Sequence, residues 1–299
     1  MRIPRAISRL FQDPPPRFVF ELSEAGIAVA QTGRPPSIAF QPLEPDVLSV
    51  SPVRDNVLRM EALSARVQAL AGPPGKKRQR AVVILPDFCV RVVVLDFDAF
   101  PKEPEQQLSL VRFRLRKSLP FDVESAGLSY YPQPNGTQGQ RRDVVVAVAP
   151  MEILARYEAP FRAAGLQPGL VTTSALCALE LLRGAGLAVL VKLAGRALTL
   201  AVAGHGVLKL VRTLELADGS AAEIVSHLYP TFAYIEDHLD AKPEKVLVCG
   251  PEPLARQLLQ ECEAETGIPV EPLRSRWGVP HHYNAGLLGY LEAAEEFSQ

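Results

Sequence analysis

Few side chains in this sequence of 299 residues are spaced for chemistry. Asp96 and Asp98 flank Phe97 and could mimic paired carboxylates, but they end an apolar run, where acids ordinarily meet solvent. His281 and His282 stand beside Tyr283. Adjacent residues rarely face one metal, and no carboxylate is placed near them, so a loop ahead of a helix is the expectation. Cys89, Cys177, Cys249 and Cys262 lie far apart, without the close pairs that zinc requires, and read as buried thiols. No nucleophile elbow, Gly-rich dinucleotide fingerprint or Walker-type loop is present. Two charges remain inside apolar runs: Glu21 in Phe20-Glu21-Leu22-Ser23 and Lys192 in Val191-Lys192-Leu193-Ala194.

Composition narrows the class of protein that positions them. Hydrophobic residues make up 47% and charged residues 22%, which describes a folded globular chain long enough for two lobes. A net charge of -1 gives no footprint for a polyanion, and aromatic residues are not interleaved with basic ones, so nucleic acid is not an expected partner. No run approaches the roughly 18 consecutive apolar residues of a membrane span, and the basic start lacks a secretory signal's apolar core, so a cytoplasmic location is expected. Met1 to Phe11 sets Arg2, Arg5 and Arg9 among Ile3, Ile7, Leu10 and Phe11. It reads equally as an amphipathic helix resting on an anionic membrane surface and as a solvated tail.

The elements repeat. Arg17 to Leu22, Gly26 to Gln31 and Ser37 to Gln41 read as three strands, followed by a helix between Pro52 and Gly72 and a central strand at Ala81 to Leu85. A second set of three strands runs over Leu187 to Leu193, Ala197 to Ala203 and Val207 to Leu214, with tight turns at Ala194-Gly195-Arg196 and Gly204-His205-Gly206. After it come a long helix with Pro230 predicting a kink, a strand at Lys245 to Cys249, a helix at Pro253 to Thr266, a strand at Ile268 to Pro272 and a last helix at Asn284 to Glu295. Between the two sets lies a β-α-β-β-α insertion: Cys89 to Leu95, a helix over about Glu103 to Ser118, strands at Leu128 to Tyr131 and Asp143 to Ala149, and a helix marked by Met151, Leu154, Tyr157 and Phe161. Thr173 to Arg183 reads as one helix, apolar nearly all round.

Two copies of βββα followed by alternating strand and helix describe the actin-like α/β fold, in which paired RNase H-like lobes flank a cleft. The expected division is a tail at 1–16, a first lobe at 17–86 and 166–186, an inserted subdomain at 87–165 and a second lobe at 187–299. At residue level the chain resembles the PilM family of type IV pilus assembly proteins. More distantly it resembles the cytoplasmic L-type proteins of type II secretion. The resemblance rests on Arg114-Leu115-Arg116-Lys117-Ser118-Leu119-Pro120-Phe121-Asp122 followed by Tyr130-Tyr131, on Val145 to Pro150, on Tyr157 through Phe161 to Ala164-Gly165-Leu166, on Lys209 to Arg212 with Gly219, and on Tyr283-Asn284-Ala285-Gly286-Leu287-Leu288.

That resemblance implies a scaffold under the inner membrane that holds the cytoplasmic tail of a PilN-type membrane protein in a groove between the first lobe and the insertion, with a pilus motor ATPase as a further partner. Arg112 and Arg116 would suit an acidic or polar tail, and Leu119, Phe121 and Tyr130 would take its apolar anchors. Some members bind ATP between the lobes. That site needs a first-strand Asp to hold magnesium through water, a nearby Gly to approach phosphate, and a similar Asp-x-Gly on the second lobe. This chain places Glu21 and Ser23 at the first site and Lys192 and Ala194 at the second. At a third site Gly250 is followed by Pro251, which removes an amide donor.

The expectation is therefore a pseudo-ATPase without cofactor, in which Glu21 and Lys192 pair across the cleft; the alternative for Lys192 is solvent. An ATP–magnesium protein with an altered site, in which Lys192 contacts phosphate, and an L-type secretion protein are the alternative functions.

Overall fold

The computed structural model describes residues 16–73, 78–134, 141–182, 184 and 186–296. The basic segment Met1 to Phe11 lies outside them, as do residues 74–77 of the loop after Gly72, 135–140 of the loop after Pro134, and Arg183.

β1 (Phe18–Ser23), β2 (Gly26–Gln31) and β3 (Ser37–Pro42) form an antiparallel meander, and the helix α1 (Met60–Ala71) carries the chain over to β4 (Gln79–Leu85), parallel to β1. Ala81 to Leu85 of β4 form a continuous, buried apolar run in the sheet's interior, with β1 on one side and β8 (Leu166–Thr173) on the other. The sheet order is β3-β2-β1-β4-β8. β9 (Ala188–Ala194), β10 (Ala197–Gly204), β11 (Val207–Glu215), β12 (Lys245–Cys249) and β13 (Val270–Pro272) repeat it position for position as β11-β10-β9-β12-β13. The β9–β10 turn needs Gly195, whose φ of 61° lies in the left-handed region.

The insertion is a three-stranded antiparallel sheet in the order β5-β7-β6, formed by β5 (Arg91–Phe97), β6 (Ala126–Pro132) and β7 (Arg142–Pro150), with α2 (Pro104–Leu115) on one face. Its last helix, α3 (Met151–Ala163), follows the insertion in sequence but packs on the first lobe. Ile153, Tyr157 and Phe161 belong to that lobe's core, Phe161 meets Phe20 at 5.0 Å, and the Tyr157 hydroxyl donates to Asn56 Oδ1 at 3.2 Å.

The second sheet is buried on both faces by alternation. Val189, Val191 and Leu193 pack with Ile224, Leu228 and Ile235 of α5 (Ala221–Leu239) and Leu258 of α6 (Glu252–Thr266). Leu190, Ala201, Ala203 and Val211 instead join the core of the first lobe, so one apolar core runs across both lobes. α4 (Ser174–Ala178) and α7 (Ala285–Glu296) pack on each other at close range. A Cβ added at Gly289 would stand 2.1 Å from the carbonyl oxygen of Cys177.

Four expectations shift. The helix expected from Pro52 starts at Met60, because Asn56 accepts from the Ser51 amide at 3.0 Å and Val57 N donates to Asp55 at 2.9 Å, holding 51–57 as a loop. The strand expected from Cys89 starts at Arg91, after a short 3-10 turn over Asp87–Cys89. The helix expected over Thr173 to Arg183 is five residues of α4 plus a 3-10 turn over Leu179–Leu181, preceded by β8, which pairs with β4. The strand expected from Ile268 starts at Val270.

Overpacking a full core costs about 1–3 kcal/mol. Gly289→Ala, at the α4–α7 contact, is expected to destabilise by about that much in urea unfolding, while Gly169→Ala, where the backbone has no positive φ and the added carbon would meet nothing closer than 4.0 Å, should cost less.

Candidate functional site

The two charges inside apolar strands sit where the lobes meet. Lys192 shares the inward face of β9 with Leu190 and is 1% exposed. Its Nζ lies 2.8 Å from Asp87 Oδ2, and Asp87 is 4% exposed. Asp87 was missed in the sequence, though an acid directly after a central apolar strand, Leu85-Pro86-Asp87, was the available sign. Its other oxygen accepts from the Ala175 amide of α4 at 2.6 Å. The pairing expected between Glu21 and Lys192 is thus corrected: Lys192 pairs with Asp87, and the solvent alternative is excluded by burial. Glu21 faces α4 and α7 instead, accepting from the Ser174 hydroxyl and, at 2.6 Å, from the Leu287 amide. Glu21 and Lys192 still feel each other electrostatically.

The energetics follow from this geometry. Burial pushes the Glu21 carboxyl above its ordinary 4.5, although Lys192, Ser174 and the Leu287 amide draw it down. Burial alone would lower the Lys192 ammonium, but Asp87 and Glu21 outweigh it and hold its pKa above the ordinary value. Burial also raises the Cys89, Cys177 and Cys249 thiols, Cys249 to about 12, so they stay protonated and unreactive. All four cysteines are free and buried.

The charged groups of this cleft are engaged with the protein itself: the Lys192 ammonium pairs with Asp87, and both oxygens of Glu21 accept hydrogen bonds. Ser23 spends its hydroxyl on its own turn, accepting from Gly26 N at 3.2 Å and donating to Gly26 O at 3.0 Å. A Cβ on Gly250 would meet Leu193 at 3.1 Å, so this glycine serves packing against β9. At the mouth the hairpin tips abut: Glu24 Oε2 would lie 3.1 Å from a Cβ on Gly195, beside the end of β9 at Ala194. Among the described residues no cluster of three or more His, Cys, Asp or Glu could hold a metal ion.

A cavity of about 550 Å³ lies elsewhere, where all three bodies meet. Residues 127–131 of β6 and Val145 and Ala147 of β7 form one wall, and 170–173 of β8 with Leu176 and Cys177 of α4 form another. Ala203, Gly206 and Leu208 of the second lobe close it. β6 and β8 are each the last strand of their sheets, so both walls present a strand edge. Gln133 fastens the second lobe to this rim, donating to Leu208 O and accepting from Leu208 N, both at 2.8 Å. Lys209 adds a pair to Asp143 at 3.2 Å.

Of the five residues expected to hold a partner, only Tyr130 borders this groove, and its side chain turns to the insertion's core, where the hydroxyl lies 3.0 Å from Gln107 Oε1 of α2. Arg112 and Arg116 both reach Glu124, at 3.5 and 3.4 Å, and Leu119 and Phe121 pack half-buried on the insertion's core. The reason is alternation. Val144 and Val146 face α2, whereas Val145 and Ala147 face the groove, so the basic helix lies behind the sheet that forms the wall. Residues 170–173 were not read as a strand; the β-branched run Val171-Thr172-Thr173 was the signal for it. His281 and His282 sit in a turn before α7, as a loop reading requires, with His281 stacked on Tyr283 at 5.3 Å. Asp96 pairs with Arg114 and Arg141 at the surface.

Paired five-stranded sheets of identical order, an insertion between the third strand's helix crossover and the last strand of the first sheet, and helices packed between the lobes define an actin-like fold. Solved structures agree. The chain is similar to a PilM-PilN type IV pilus biogenesis complex, with a TM-score of 0.69 at 19% identity over 95% of this chain and 99% of that one. It is also similar to the cytoplasmic domain of EpsL, an inner membrane component of the Vibrio cholerae type II secretion system (0.52, 15% identity, 93% and 94% covered). A third likeness is to a Bacteroides thetaiotaomicron protein with an actin-like ATPase fold and unknown function (0.53, 10% identity, 85% and 89% covered). No family model and no curated protein matches the sequence.

Removing one member of a buried pair costs about 3–5 kcal/mol, whereas removing both costs much less. Lys192→Met is expected to destabilise by about that amount in guanidinium unfolding, and Asp87→Asn combined with it to recover part of the loss. Because Glu21 binds its proton more tightly folded than unfolded, stability falls as pH rises from 4.5 through its higher folded value. Glu21→Gln should flatten that slope, measured by urea unfolding at stepped pH.

Proposed function

We propose that this chain is a non-catalytic, actin-like scaffold of a type IV pilus or related secretion machine, and that it holds the cytoplasmic tail of a PilN-type membrane protein in the groove between β6 and β8. The observation that carries the reading is the cavity itself: about 550 Å³, mostly apolar in lining, and bordered by two strand edges. An extended peptide there gains main-chain hydrogen bonds from an edge and specificity from alternate side chains. The likeness to a complex that contains PilN supports this choice of partner, and its TM-score of 0.69 against 0.52 for EpsL favours the pilus reading over the secretion one. Among the described residues no helix is long and apolar enough to cross a membrane, so such a scaffold would reach the inner membrane from the cytoplasm through its partner.

The pseudo-ATPase half of the reading rests on the engaged atoms of Glu21, Ser23 and Lys192 and on the abutting hairpin tips. A protein built this way joins its lobes with its own charges and needs no nucleotide to do so.

Two measurements test the two halves. Calorimetric titration with the cytoplasmic tail of a PilN-type protein from the same organism should give binding at micromolar concentrations. Val171→Asp in the groove should weaken it about tenfold or more, and Arg116→Ala should leave it unchanged. Thermal unfolding with Mg-ATP should show no shift; a ligand at a hundred times its Kd would add about 2.7 kcal/mol, and that result would remove the pseudo-ATPase claim.

A further inference from the structure

Positive charge gathers at one end of the first lobe, although the whole chain carries a net charge of -1. β1 and β4 start side by side, with Arg17 N donating to Arg80 O at 3.2 Å, and the hairpin between β2 and β3 closes beside them through Thr32 N, which donates to Arg17 O at 3.0 Å. These strand ends bring Arg17, Arg34, Arg78 and Arg80 to one rim, and all four are exposed. Residues 16–18, 31–37, 78–80 and 166–168, which form the rim, include no Asp or Glu. Arg34 and Arg80 have contacts of their own within the protein. Arg17 lies over the Phe18 ring at 5.3 Å, and among the described residues neither it nor Arg78 meets a carboxylate.

The chain enters β1 from this rim, where Pro16 O accepts from the Thr32 hydroxyl at 2.6 Å. No more than about 18 Å of extended chain joins Pro16 to Phe11, so the basic segment Met1 to Phe11 is tied to the same end of the lobe. Its sequence has two sides. On a helix of 3.6 residues per turn, Ile3, Ile7, Leu10 and Phe11 fall within an arc of about 100°, and Arg2, Arg5 and Arg9 within about 60° nearly opposite. Nucleic acid or an acidic protein surface would use only the arginines. A lipid interface uses both sides, taking apolar side chains among the acyl chains and cations among the headgroups.

We infer that this rim and Met1 to Phe11 together form a docking surface for an anionic phospholipid bilayer. The inference goes beyond the groove reading and does not depend on it: the groove's first-lobe wall lies toward the other end of β8, whose eight residues rise roughly 23 Å from Leu166 to Thr173. The scaffold then has a lipid contact of its own beside any contact made through a partner.

The purified chain is floated through a density gradient with vesicles of phosphatidylcholine alone or of phosphatidylcholine carrying phosphatidylglycerol. Co-flotation with the anionic vesicles and not with the neutral ones, fading as salt is added, is the expected result. Arg17→Gln combined with Arg78→Gln should weaken it by about fivefold for each charge removed, and Ile7→Ser combined with Leu10→Ser by about tenfold or more, in variants whose unfolding curves match the parent's. No co-flotation with anionic vesicles, equal co-flotation with neutral ones, or anionic binding that either double variant leaves unchanged overturns the inference. So does capture by polyglutamate without binding to vesicles, which would assign the rim to an acidic protein instead.

Discussion

Lys192 and Asp87 are both charged and both almost without solvent, and their pairing constrains everything around them. Neither ion is stable in that place alone. Lys192 extends from the first strand of the second lobe, whereas Asp87 stands at the turn that leads from β4 into the insertion and also accepts from the Ala175 amide of α4. One contact thus fixes the second lobe, the root of the insertion and a helix of the first lobe. Glu21 adds a second acid from β1 and links α4 to α7 through Ser174 and Leu287. The apolar core that runs from β1 through Leu190 and Ala201 surrounds these charges and keeps water away, which is why the geometry of each hydrogen bond matters so much.

The groove inherits its shape from this arrangement. Its first-lobe wall is the end of β8 and α4, which Asp87 caps through Ala175, and its closure is the β10–β11 hairpin, which Lys192's sheet carries. The insertion contributes a sheet with two different faces. One is filled by α2 with Val111 and Leu115; the other is left open to the cavity. A groove made in this way depends on three bodies holding their relative positions, and the buried ions supply that rigidity from within the protein.

Much of the architecture was legible in the sequence because strand periodicity and glycine turns are local signals. The two meanders, the Gly195 turn and the amphipathic α5 follow directly from spacing. What was not legible depended on distance. The short α4 looked like a long helix because a segment buried between layers is apolar all round whether or not it is helical, and only pairing with β4 makes 166–173 a strand. At the cleft, Glu21 and Lys192 stood out as charges inside apolar strands, but the partner of Lys192 lies 105 positions away in sequence, and only the fold shows that the acid after β4 is the one that meets it. Arg112, Arg116, Leu119 and Phe121 lie away from the groove for a related reason. A basic helix bordering the insertion looks like a binding face until the alternation in β7 shows which side of the sheet it occupies.

Gln133 shows how this protein attaches the insertion to the second lobe. A primary amide presents an N–H donor beside a carbonyl acceptor in one plane, as a peptide group does, so β11 meets the Gln133 side chain as it would meet a neighbouring strand. Leu208 takes part only through its backbone. The joint is therefore asymmetric in what it tolerates: position 208 can drift among residues that fill the same volume, whereas position 133 has no substitute among the shorter or ionised side chains. Mutational history at this seam should be written on one side alone.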